Sequence, residues 1–382
     1  MIDTQQNGRY DQYIKIAFVG SMMKASTKLR RNMNDMKRLT LKEISQRIGI
    51  SVATVDRVLN NRGNVKPETY RKVMDKLNEM NYTPNKSASF LSRKKELSIA
   101  VVFPELPDYF WWQVEKGVNV AYEELRDYGL YVELFKSEKY DMEKQKQVVE
   151  DIIASKAFDA IAISPNDSEE MADLIDRGIE AGIAICTFNN DSPLSKRLFY
   201  VGCDYRIAGR LAANMLCKIT GPDAKFGLIT SDASSEPSAT TFQLQQKIMG
   251  FREVIADYRV ELTQLLKLKQ EEYDSASIFE SFFDQVDAVY VTSAKLHAVG
   301  KHLEQLGLAG KKALIGHDIT EEIYDDLQRD VVTATICQDP VNQGYLAIKT
   351  LFGYLAYGER INVKENITKL ELVIKENARY YI

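Results

Sequence analysis

The stretch Ser51-Val52-Ala53-Thr54-Val55-Asp56-Arg57 carries the side chains best suited to reading a nucleic-acid base. Ser51 follows the tight turn Gly49-Ile50 and is placed to cap a short helix, VATVDRVLN. On that helix Val55, Val58 and Leu59 share one face, and Val52, Ala53, Thr54 and Arg57 share the other. A helix of this size fits a major groove about 12 Å wide, where a guanidinium bonds guanine bidentately and small apolar side chains touch thymine methyls. A second set of residues suits a carbohydrate, whose C–H faces stack on aromatic rings while carboxylates and amides orient its hydroxyls. Tyr109-Phe110-Trp111-Trp112 follows the apolar run SIAVVF, and Asn189 and Asn190 close the run 183–188. Ser293 ends AVYVTS, Asp318 ends KALIGHD and Gln338 follows TATIC. Catalytic and metal chemistry is poorly provided. His297, His302 and His317 are the only histidines and lack partners at catalytic or ligand spacing. Cys186, Cys203, Cys217 and Cys337 are scattered and read as reduced core residues. We expect no catalytic residue, metal or cofactor.

The elements that must hold these residues follow from hydrophobic periodicity. LTLKEISQRIG places Leu41, Ile44 and Ile48 on one helical face and stops at Gly49, so two short helices joined by Gly49-Ile50-Ser51 form a helix-turn-helix over about 40–60. A third helix starts at Pro67, with Val73, Leu77 and Met80 as its apolar stripe. Beyond Leu97 short runs rich in Val, Ile and Ala alternate with amphipathic stretches such as EKQKQVVEDIIASK. That pattern predicts parallel strands covered on both faces, a doubly wound α/β body that binds ligands beyond the carboxyl ends of its strands. The expected fold is thus a small all-α helix-turn-helix head followed by a two-lobed α/β domain.

Charge separates the two parts. Between Lys37 and Glu96 there are 14 Lys and Arg against 6 Asp and Glu, whereas from Leu97 onward there are 30 against 45. A basic module attracts phosphate and an acidic body does not, so only the head should touch a polyanion. Residues 1–36 show no sustained period and are expected to be an unstructured extension, with the working start near Met33 or Met36. Reading IAFVGSMM there as a secretory signal would export the basic module away from DNA, and no apolar run reaches the roughly 18 residues of a membrane span.

Residues 39–95 resemble the DNA-binding head of the lactose-repressor (LacI) family through the T-L-x-x-I opening, the G-I-S-x-x-T-V-x-R-V-L-N core and the N-Y-x-P-N exit. The remainder resembles that family's effector domain and periplasmic sugar-binding proteins of the ribose type, through VGCDYRIAGRLAA, ALIGHD and TATICQDPVNQG. The resemblance implies base reading by Val52, Ala53 and Arg57, with further DNA contacts from Thr40, Ser51, Thr54 and Asn60. It implies a hinge over 85–96, after a head over 37–84, in which Leu91 enters the minor groove and Lys86 lies near phosphate. Asp56 departs from the family, which commonly has Ser there, and this puts the usual phosphate contact at that position in question.

In the effector domain, 97–382, the resemblance implies two interleaved lobes, about 97–203 with 339–366 and about 204–338 with 367–382. Phe110 and Trp111 match the stacking pair, and Asp318 and Gln338 match directly. Asn189 and Asn190 stand where Asp-Arg is usual, and Gln245 or Lys247 takes the place of a common Arg. The implied protein is a cytoplasmic transcriptional regulator, a homodimer with a tetramer as the alternative, that binds double-stranded operator DNA and a small carbohydrate-like effector. Two rival readings fit the residues less well. An exported solute-binding protein conflicts with the basic head, and a sugar-modifying enzyme would need two carboxylates where the cleft candidates offer one.

Overall fold

In a computed structural model the described residues are 41–59, 65–80, 96–105, 108–137, 141–221, 223–232 and 238–382. The chain divides into two compact units, 1–86 and 87–382. The extension 1–36, Thr40, Asn60, Lys86 and Leu91 lie outside the described residues.

The first unit contains α1 (Leu41–Ile48), α2 (Val52–Leu59) and α3 (Pro67–Glu79). Ile44, Ile48, Val55, Val58, Val73 and Leu77 form its core, two from each helix, so none of the three could bury its apolar stripe alone. Gly49 takes φ +70°, which a glycine adopts without the clash a Cβ would bring, and ends α1. The Ser45 hydroxyl donates to Ile50 O at 2.6 Å and pins the turn. Ser51 Oγ then accepts from Thr54 N at 3.3 Å and caps α2. Ser51→Ala should destabilise the head by about 1 kcal/mol, while Ser51→Asp, which also caps, should not. Urea titration followed by helical circular dichroism would check both, and equal behaviour of the two variants would count against the cap.

The second unit contains two six-stranded sheets with the same strand order. One uses β1 (Leu97–Pro104), β2 (Leu130–Ser137), β3 (Ala160–Ile163), β4 (Ala184–Phe188), β5 (Tyr200–Gly202) and β11 (Glu365–Ile367), in the order β11-β5-β4-β3-β1-β2. The other uses β6 (Phe226–Ser231), β7 (Leu262–Leu268), β8 (Ala288–Val291), β9 (Ala313–His317), β10 (Ala334–Cys337) and β12 (Glu371–Val373), in the order β12-β10-β9-β8-β6-β7. Every pairing is parallel except β10 with β12. Each sheet is covered on both faces, which is why its central strands read as unbroken apolar runs.

The chain passes between lobes three times, after β5, after β10 and between β11 and β12. Helix α7 (Tyr205–Ile219) therefore follows a strand of lobe one but packs in lobe two against α8 (Ser238–Tyr258), and α12 (Pro340–Tyr357) does the converse against α4 (Asp108–Leu125). Both crossings bring backbone onto backbone at paired glycines. A Cβ on Gly117 or Gly344 would overlap the carbonyl oxygen of Val341 or Val114, and one on Gly209 or Gly250 would overlap that of Lys247 or Arg206. The crossovers themselves are tied together. Gln338 O accepts from Gln343 Nε2 at 2.9 Å and from Thr368 Oγ1 at 3.1 Å, and Thr368 N donates to Gly202 O at 2.8 Å.

Candidate functional site

In the head, Ser51, Val52, Ala53 and Arg57 are exposed and Thr54 is half-buried, while Val55 and Val58 face the core. An exposed Val, 43% accessible, gains nothing in water, so the face opposite the core is apolar at its start and cationic one turn later. That face can reach thymine methyls and a guanine edge.

In the second unit the candidate residues gather where the strands of both lobes end. On lobe two, β9 delivers Asp318 in the left-handed region, φ 65°, a conformation that costs energy for a non-glycine residue and that the surrounding bonds hold. Asp318 N donates to Ile336 O at 3.0 Å, Asp318 O accepts from Thr335 Oγ1, and Gln338 Nε2 donates to the carboxylate at 2.8 Å. Tyr109, from the first turn of α4 on lobe one, lines the same hollow as this carboxylate. Burial pushes the Asp318 carboxyl above its usual range, against the opposing pull of Lys247, Gln338 and Tyr109. Lys247 on α8 is buried and donates to Thr292 O at 2.9 Å, and burial lowers its ammonium despite attraction from Asp318 and Cys203. Ser293 Oγ shares a hydrogen bond with Tyr273 OH at 3.1 Å.

On lobe one, β4 ends in Asn189, also left-handed at φ 57°. Its carbonyl accepts from the hydroxyls of Tyr200 and Tyr205, each at 2.9 Å, and its Nδ2 reaches Gln343 Oε1 at 3.4 Å. Asn190 Nδ2 donates to Pro165 O at 2.9 Å, and its Oδ1 accepts from Gln243 Nε2 across the cleft. The neighbouring Asp191 is held bidentately by Arg197, whose Nη2 donates at 2.6 Å, so this loop is fixed by a largely buried ion pair.

Tyr109, Asp318 and Gln338 thus line one hollow, and Asn190 and Gln243 line another. Asn189 is turned toward the crossovers rather than across the cleft. Trp111 does not face the cleft as a stacking platform: it packs in the lobe-one core against Phe103 at 5.6 Å and against Phe110 and Phe188. Phe110 is equally buried, although its edge lines a cavity that also touches Asp318. Gln245 lies on the solvent side of α8, and the cleft-facing side chains of that turn are Gln243, Gln246 and Lys247. Of the aromatic run Tyr109 to Trp112, all but Trp111 line the hollow that holds Asp318, and Gln243 is a residue the sequence did not single out.

Nothing in this set resembles an acid–base pair. His317 bonds Tyr290 OH at 2.6 Å and is kept neutral by burial, the nearby Lys247 adding to the effect. His297 pairs with Asp326 at 2.7 Å, and His302 stacks on Phe279. Among the described residues no cluster of His, Cys, Asp or Glu could hold a metal, and all four cysteines are free.

Residues 40–85 match the model of "Bacterial regulatory proteins, lacI family", and residues 99–360 match that of the "Periplasmic binding protein domain". The chain belongs to the LacI family of bacterial regulatory proteins. As a LacI-family member it is a DNA-binding transcriptional regulator whose second unit is a periplasmic-binding-protein-like effector domain. It is 25% identical over 245 residues to catabolite control protein A of Staphylococcus xylosus, covering 64% of this chain and 70% of that protein. It is 28% identical over 228 residues to the HTH-type transcriptional regulator DegA of Bacillus subtilis (strain 168), covering 59% and 64%. The matches therefore span about two thirds of these LacI-family relatives. Among solved structures, GanP, a glucose-galactose binding protein from Geobacillus stearothermophilus, superposes with TM-score 0.65 at 25% identity over 74% of this chain and 99% of its own. AraP, an arabinose binding protein from the same species, gives 0.65 at 22% over 75% and 100%, a likeness of fold. No helix among the described residues of this LacI-family chain is long and apolar enough to cross a membrane.

Proposed function

We propose that this regulator binds a pseudopalindromic operator as a homodimer in the cytoplasm, and that a carbohydrate-like effector held between its lobes sets its operator affinity. The observation that carries the effector half is the gathering of Tyr109 of lobe one with Asp318 and Gln338 of lobe two on one hollow, together with the Asn190–Gln243 contact from lobe to lobe. A ligand accepting and donating at these groups would bridge the lobes, and it would move the equilibrium by its differential affinity for their arrangements.

For the DNA half, the exposed face of α2 supports direct readout by Val52, Ala53 and Arg57, with Leu91 of each subunit as a minor-groove wedge and Lys86 at the backbone. Arg57→Ala is expected to weaken binding by about 1 to 3 kcal/mol on a duplex selected by the full-length protein from a random library, and much less on its scrambled version. Fluorescence anisotropy on the two duplexes decides this, and equal losses on both would mean that Arg57 reads no base.

A further inference from the structure

We infer that the effector has at least two sugar rings, the first between the lobes and the second lying on the indole of Trp112 outside the cleft. The inference rests on the carbohydrate reading above and extends it to the size of the ligand. A cavity of about 720 Å³ has Asp318 and Gln338 on its inner wall and runs out to Trp112, Gln113 and Lys116 on the solvent side of α4. A second hollow of about 360 Å³ shares Tyr109 and Trp112 and is walled by Glu105, Glu115 and Lys136. Trp112 is therefore the ridge between two concave surfaces, one of which leads directly to the effector carboxylate.

The ridge has the make-up of a sugar platform. Trp112 is 58% exposed, whereas its neighbour Trp111 is 5% exposed and spends its ring on the core. An indole held in water costs hydration free energy unless something covers it, and Lys116 lies over only one of its two faces. Its orientation is restrained: Lys116 Nζ sits 4.2 Å from the ring centroid. Around it Gln113, Glu115, Lys136, Glu321 and Glu322 offer donors and acceptors at the rim, with Lys136 and Glu115 paired at 2.7 Å. A pyranose presents a C–H face ringed by hydroxyls, which matches an aromatic plane ringed by hydrogen-bonding groups. A single ring bonded by Asp318 and Gln338 would leave this surface unused.

The test is calorimetry on the full-length protein with glucose, galactose and arabinose and with maltose, cellobiose, galactobiose and arabinobiose, for the wild type and Trp112→Ala. At least one disaccharide should bind about tenfold or more tightly than its own monosaccharide. Trp112→Ala should abolish that advantage and leave the monosaccharide Kd within about twofold. Monosaccharides binding as tightly as every disaccharide would overturn the inference while leaving the carbohydrate reading intact, as would equal losses for both lengths in Trp112→Ala. If no saccharide of either length binds, the carbohydrate reading falls and this one falls with it.

Discussion

Gly209→Val is expected to lower the melting temperature of the second unit by roughly 6 to 12 °C, corresponding to about 3 kcal/mol. In an ordinary helix interior, replacing glycine would cost nothing or would stabilise, because glycine gives up the most backbone entropy. Here the α7–α8 crossing reverses the sign. The new Cβ would overlap the carbonyl of Lys247, a backbone atom in the middle of α8 that cannot swing aside as a side chain can. Separating the helices would open the lobe-two core around Ala212, Ala213 and Phe251, and it would also displace Lys247, whose ammonium attracts the Asp318 carboxylate. Gly221→Ala is the matched control, since a Cβ there meets nothing within 4 Å, and it should leave the melting temperature within about 1 °C. Thermal unfolding by circular dichroism reports both, and similar values for the two variants would show that the crossing is not tight.

Asp318→Ala should reduce effector affinity roughly ten- to a hundredfold, about 1.5 to 3 kcal/mol, while operator binding without effector survives. The carboxylate is a charged acceptor set between both lobes, and its loss removes charge-assisted bonds that only the ligand-bound cleft can make in full. Asp318→Asn keeps the shape and one acceptor, so an intermediate loss is expected. The same group predicts a pH dependence. Binding to the carboxylate competes with its protonation, and burial raises the Asp318 pKa above the usual carboxylate range. Effector affinity should therefore fall on acidification at a higher pH than an ordinary aspartate would give, and Asp318→Asn should flatten that slope. Calorimetry with the best-binding saccharide, alongside anisotropy with the operator, separates the outcomes. Unchanged ligand affinity, or operator binding lost without ligand, would place Asp318 in the scaffold.

Much of this was legible in the sequence because the physics was local. The head announces itself in a capping serine, a turn glycine and three apolar stripes, and the structure uses the same side chains for its core. The central strands are visible because both of their faces are dry. Strands β5, β7 and β11 carry no such signal: β5 and β11 have three residues each, and β7 is an edge strand half-exposed from Leu262 to Leu266 and exposed at Lys267.

The site was legible as a set of strand ends but not at the resolution of single side chains on helices. On α4 the core stripe is Trp111, Val114, Val118 and Ala121, a spacing that already assigns Trp111 inward and Tyr109 and Trp112 elsewhere. On α8, Leu244, Lys247, Phe251 and Val254 form the buried row, which leaves Gln245 facing water. A lysine within an apolar stripe was the signal for a buried cation and is visible without coordinates. Contacts such as Asn190 with Gln243 are long-range, and no local pattern encodes them.

The interleaving of the lobes also sets an order of events at the ribosome. The head has its whole core once Met80 has been made, yet lobe one, which begins at Leu97, cannot close until α12 and the edge strand β11 are synthesised. At ~5–20 residues per second, the 155 residues between Gly202, where β5 ends, and Tyr357, where α12 ends, take on the order of 8 to 31 s to add. Through that interval β1 to β5 are present without the helix that covers one face of their sheet, so apolar residues such as Phe103, Phe188 and Phe199 lack part of their cover. The nascent chain is thus exposed to aggregation and chaperone capture for longer than its length alone would require.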